Sequence, residues 1–75
     1  MSKLMKDNCI AIKKYLIEQG VVDGNIVTLS LLQRAIGDKA GKSNQTVMSY
    51  MQLFGRQYAI KPAGPNKFKI DMSKM

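Results

Sequence analysis

The stretch that decides the fold is Ser43-Asn44-Gln45-Thr46-Val47-Met48-Ser49-Tyr50-Met51-Gln52-Leu53-Phe54. Val47, Tyr50, Met51 and Phe54 recur at i, i+3, i+4 and i+7, the spacing of one buried helix face. Ser43 stands where an N-cap is needed, because its hydroxyl accepts a backbone N–H of the first turn. The spacing predicts a helix over about 44–57. Asn44, Gln45, Met48, Ser49 and Gln52 fall on its opposite side, which is polar, amide-rich and uncharged.

Working upstream, Leu29, Leu32 and Ile36, with Leu31 and Ala35, supply the buried face of a second helix over 29–40. Thr28 and Ser30 both suit its N-cap, and Ser30 with Gln33 three residues on makes a capping box. Ile26-Val27-Thr28 is a short β-prone piece, and Asp23-Gly24 marks a turn before it. From Lys3 to Gln19, Met5, Cys9, Ile12 and Leu16 trace an amphipathic helix. Leu4, Ala11, Tyr15 and Ile17 widen its apolar stripe. Gly20 is its stop, since glycine accepts the left-handed conformation common after a helix.

Downstream, Tyr58-Ala59-Ile60-Lys61-Pro62 and Lys67-Phe68-Lys69-Ile70 flank Ala63-Gly64-Pro65-Asn66, the pattern of a β-hairpin. Pairing Ile60 with Ile70 puts both on one face with Phe68. The same register sets Lys61 opposite Lys69, with Lys67 one step along. Pro62 is tolerated because a two-stranded ribbon is all edge.

The order is helix, short strand, helix, turn, helix, hairpin. It resembles the winged helix-turn-helix family over about residues 5–70, leaving a short tail at 71–75. Val27-Thr28-Leu29-Ser30-Leu31-Leu32 resembles the start of that family's second helix, and Ile36-Gly37 its close. Ser43, Thr46, Val47, Met51 and Phe54 resemble the recognition helix, and Ala59-Ile60 the apolar pair that opens the wing. Two positions depart from the pattern. Thr46 lies nine residues after Gly37 rather than about five, so the turn or the second helix is longer. Tyr58 stands where Gly commonly precedes the apolar pair. The resemblance implies a mainly α domain with a small β-hairpin wing. It also implies double-stranded DNA as partner and a role in transcription regulation.

Composition agrees with one small domain over 1–75. A chain of 75 residues buries only about 60–65% of the surface its unfolded form exposes. It carries 12 Lys+Arg against 5 Asp+Glu, a net +7 with no His. Residues 1–31 hold Lys3, Lys6, Lys13 and Lys14 against Asp7, Glu18 and Asp23, a net +1. Residues 32–75 hold Arg34, Lys39, Lys42, Arg56, Lys61, Lys67, Lys69 and Lys74 against Asp38 and Asp71, a net +6. No acid falls between Asp38 and Asp71, and such a lysine-studded stretch is the footprint of a polyanion partner. No run approaches the ~20 apolar residues of a membrane span. No signal-peptide hydrophobic region follows Met1. The expectation is a cytoplasmic protein, nucleoid-associated if prokaryotic or viral.

Each part then has a chemical assignment. Asn and Gln pair a donor with an acceptor and match the N6 and N7 of adenine. This makes Asn44, Gln45, Ser49 and Gln52 candidate base readers, with Met48 against a thymine methyl. Lys42, Ser43 and Thr46 surround the positive end of the third helix and are candidate phosphate ligands. Arg34, Lys39 and Arg56 are candidate flanking cations. Lys61, Lys67 and Lys69 on the wing face the backbone or minor groove. The competing readings are a merely solvated helix face and lysines that only guard an edge ribbon against aggregation. Without His, and with the single Cys9 on a core stripe, no catalytic constellation or metal site is legible. No enzyme activity, cofactor or small-molecule ligand is expected. A homodimer built on the first helix or on Asp71–Met75 is compatible with this reading, because small cores gain from association. The runner-up is a protein-interaction adaptor that uses the same fold within a nucleic-acid machine.

Overall fold

The structure is a computed structural model and describes residues 2–75. Helix α1 spans Lys3–Glu18, strand β1 Ile26–Thr28, helix α2 Leu29–Lys39 and helix α3 Asn44–Arg56. Strands β2 (Ile60–Gly64) and β3 (Lys67–Ile70) follow, and a 3-10 turn at Met72–Lys74 closes the chain. The strands form an antiparallel sheet in the order β1-β3-β2; α2 and α3 pack against it, and α1 packs on α2.

Local chemistry explains where the helices begin. Ser2 caps α1, and Ser43 caps α3 by accepting the Thr46 N–H at 3.2 Å. Thr28 caps α2, accepting the Leu31 N–H at 3.2 Å. The Ser30–Gln33 capping box is therefore not used. Thr28 is already held extended by pairing with Lys67, so the helix starts two residues earlier than a Ser30 cap would allow. The Leu29 N–H is satisfied from a distance, donating to the Asn66 carbonyl at 2.8 Å.

Helices α1 and α3 end in the same way. After α1, Gly20 N–H donates to the Ile17 carbonyl and Val21 N–H to that of Leu16, both at 3.0 Å. After α3, Tyr58 N–H reaches the Gly55 carbonyl at 3.2 Å and Ala59 N–H that of Phe54 at 2.9 Å. Both are Schellman closures, which need a left-handed residue at their centre. Gly20 supplies it at φ +88°, but at the end of α3 it is Tyr58, at φ +59°. Helix α2 runs through Gly37 to Lys39, which accounts for the long interval between Gly37 and Thr46. The turn that follows needs Gly41, because a Cβ there would lie 3.2 Å from Thr46 Cγ2.

The core lies between the helices and the inner sheet face. Ile12, Leu16, Leu32, Ala35, Ile36 and Phe54 are fully buried, with Cys9, Tyr50, Val27, Ile60 and Ile70 around them. Three expectations change. Leu4 and Ile17 do not extend the α1 stripe but face outward. The hairpin is not all edge: β3 is the central strand, flanked by β1, and only β2 with Pro62 is an edge. Residues 71–75 are part of the packing, since Met72 is buried and its N–H donates to Asp23 Oδ1 at 2.7 Å.

Candidate nucleic-acid interface

Helix geometry gathers Asn44, Gln45, Met48, Ser49 and Gln52 on one side of α3, and all five are exposed. Tyr50 and Phe54 anchor the opposite side in the core. Asn8 of α1 fixes the rotation further, donating from Nδ2 to the Tyr50 hydroxyl at 3.0 Å. The face is not uniformly free. Ser49 donates its hydroxyl to the Gln45 carbonyl at 2.8 Å, so it offers a partner an acceptor only. Gln45, Met48 and Gln52 carry the unconstrained side chains. Arg56 continues the face one turn beyond Gln52 and brings its only cation. Ser49, Gln52 and Arg56 also line a groove with Met5 of α1.

At the start of α3, the Ser43 and Thr46 hydroxyls are engaged with one another. Ser43 Oγ donates to Thr46 Oγ1 at 2.9 Å and accepts the Thr46 N–H. What this end can offer an anion is the backbone N–H of Asn44 and Gln45, left over by the cap. Lys42 stands beside them. Arg34 of α2 joins it, lining with Lys42, Asn44 and Asp38 a cleft of about 430 Å³ between α2 and α3. Of the flanking cations read from the sequence, Arg34 thus lies beside Lys42. Lys39 turns the other way, ion-paired to Asp38 at 3.3 Å with its ammonium over the Tyr15 ring.

On the sheet, Ile60 pairs with Ile70 and Lys61 with Lys69, the register read from the sequence. Lys67 lies opposite both Thr28 and Gly64. Inner residues Val27, Ile60 and Ile70 are buried, while Lys61, Lys67 and Lys69 are exposed on the outer face beside Ile26. Among the described residues the Lys39–Asp38 contact is the one side-chain ion pair. The cations of α3 and the sheet are therefore uncompensated at short range.

Tyr58 lies outside the core, 62% exposed. A left-handed backbone turns its side chain away from the packing that Ala59 and Ile60 enter. Cys9 is a buried free thiol, and desolvation raises its pKa. Asp71 is half-buried and its pKa is lowered, first by the Ser73 hydroxyl donating to it at 2.6 Å, with Lys74 and Lys61 adding to this. Among the described residues no helix is long and apolar enough to cross a membrane. No three His, Cys, Asp or Glu side chains gather as metal ligands there.

No protein-family model matches the chain, and no curated protein or solved structure matches it. Any functional reading therefore stands on the geometry alone.

Proposed function

We propose that the protein is a non-enzymatic binder of double-stranded DNA with a winged helix-turn-helix layout, acting as a transcriptional regulator. Helix α3 enters the major groove, and the β2–β3 hairpin lies along the backbone or minor groove. One observation carries this reading. The fully exposed face of α3 bears amides, a thioether and a hydroxyl but no charge until Arg56, in a protein whose other exposed surface is rich in lysine. Solvated helix faces ordinarily carry Lys and Glu, which are better helix formers. Base edges call for the opposite choice, neutral donors and acceptors within and cations on the flanks. Lys42, Arg34 and the free N–H groups at the start of α3 supply one flank, Arg56 another, and Lys61, Lys67 and Lys69 the wing.

In vitro selection from random duplexes tests this reading. A sequence-specific reader enriches one motif, and a palindromic motif adds a dimer on DNA. Recovery of unenriched DNA contradicts a base-reading α3. The second reading is a protein-interaction adaptor, and a specific feature favours it. Ile10 and Ile17, seven residues apart and so on one side of α1, are both exposed, and Leu4 is exposed at the start of the same helix.

A further inference from the structure

Tyr58 ends α3 in the left-handed conformation, φ +59°, which strains an L side chain. Gly20 performs the same duty after α1 without that strain. The ring buries little in return, being 62% exposed. It stands at one wall of a cleft of about 300 Å³ on the outer sheet face. Lys61, Lys69, Ile70, Asp23 and Asp71 also line it. The Lys74 ammonium lies 5.8 Å from the ring centroid. Each carboxylate uses one oxygen internally: Asp23 Oδ1 accepts the Met72 N–H, and Asp71 Oδ1 accepts from Ser73. The second oxygen of each has no partner among the described residues.

We infer that this cleft binds a nucleotide of an unpaired nucleic-acid strand. The base stacks on Tyr58, its phosphate sits at Lys61 and Lys69, and its exocyclic amine donates to the free carboxylate oxygens. Exposed aromatic rings beside cations are the elements of single-strand binding, because every base has a face that stacks. Carboxylates accept from the N4 amine of cytosine and repel the O4 carbonyl of thymine. The site therefore favours cytosine among the pyrimidines. It shares Lys61 and Lys69 with the duplex reading above but needs nothing from the exposed face of α3.

The test measures fluorescence anisotropy of labelled dC12, dT12 and a random duplex with the full chain and with Tyr58→Gly and Tyr58→Phe. The inference expects dC12 to bind, and to bind more tightly than dT12. Tyr58→Gly weakens dC12 binding by roughly tenfold or more, while its Tm stays at or above the wild-type value because the strain is gone. Tyr58→Phe keeps the ring and binds as wild type. Wild-type affinity in Tyr58→Gly overturns the inference, and equal binding of dC12 and dT12 overturns the role of the carboxylates. Duplex binding without dC12 binding overturns the cleft but leaves the duplex reading standing. Absence of both overturns the two together.

Discussion

Lys61 and Lys69 stand directly opposite one another on adjacent antiparallel strands, both exposed and neither ion-paired. Like charges in that position destabilise a sheet by roughly 0.2–1 kcal/mol. Lys61→Glu replaces the repulsion with attraction. It is expected to raise the Tm slightly while weakening DNA binding, a pair of opposite signs that thermal melts and anisotropy read separately. Lys61→Ala/Lys69→Ala is expected to weaken all duplexes alike and to reduce the salt slope by about one per lysine. A double variant that loses only its preferred sequence contradicts the assignment.

Gln45 projects from the exposed face of α3 near its N-terminal end, with no hydrogen bond from its side chain to the rest of the described residues. Gln45→Ala is expected to cost roughly 1–3 kcal/mol on the selected site and little on random DNA. Equal losses on both would remove α3 from the role of reader.

Phe54 is fully buried and holds α3 against the core. Phe54→Ala is expected to cost about 3–5 kcal/mol, which a domain this small can scarcely absorb. Thr28→Ala removes the α2 cap, and about 1 kcal/mol is expected. Urea denaturation separates them, and Ser30→Ala serves as the control with little effect, since Ser30 does not cap.

The two shifted groups act at opposite ends of the pH scale. Asp71 has a lowered pKa in the fold, so its contribution is present above the unfolded carboxyl's pKa and is lost as pH falls through the folded one. Asp71→Asn should flatten the acid limb of the Tm profile. Cys9 has a raised pKa, so its contribution is complete below the unfolded thiol's pKa and decays as pH rises through the folded one. The buried thiol is expected to react with a thiol reagent at neutral pH only as fast as the protein opens. Immediate reaction in the native state would contradict its burial.

Much of this architecture is legible in the residues. The 3.6-residue spacing of Val47, Tyr50 and Phe54 gives α3 and hence its exposed face, and the alternation around Phe68 gives the Lys61–Lys69 register. What is not legible depends on contacts between distant parts of the chain. Nothing local tells that Thr28 pairs with Lys67, yet this pairing makes β3 central and selects Thr28 over Ser30 as the cap. Nothing local tells that Asp23 reaches the N–H of Met72 and draws the C-terminal residues into the core. Tyr58 was hidden for a different reason: an aromatic residue beside Ala59-Ile60 reads as core, and its left-handed backbone has no sequence signal.

Titration of a labelled duplex over a series of salt concentrations tests the central claim most directly. If Lys42, Lys61, Lys67 and Lys69 meet phosphates with one or two further cations, log K against log salt has a slope of about −4.5 to −5.4. Duplex affinity absent even at about 50 mM salt, where electrostatic binding is strong, would contradict the account and favour a protein partner.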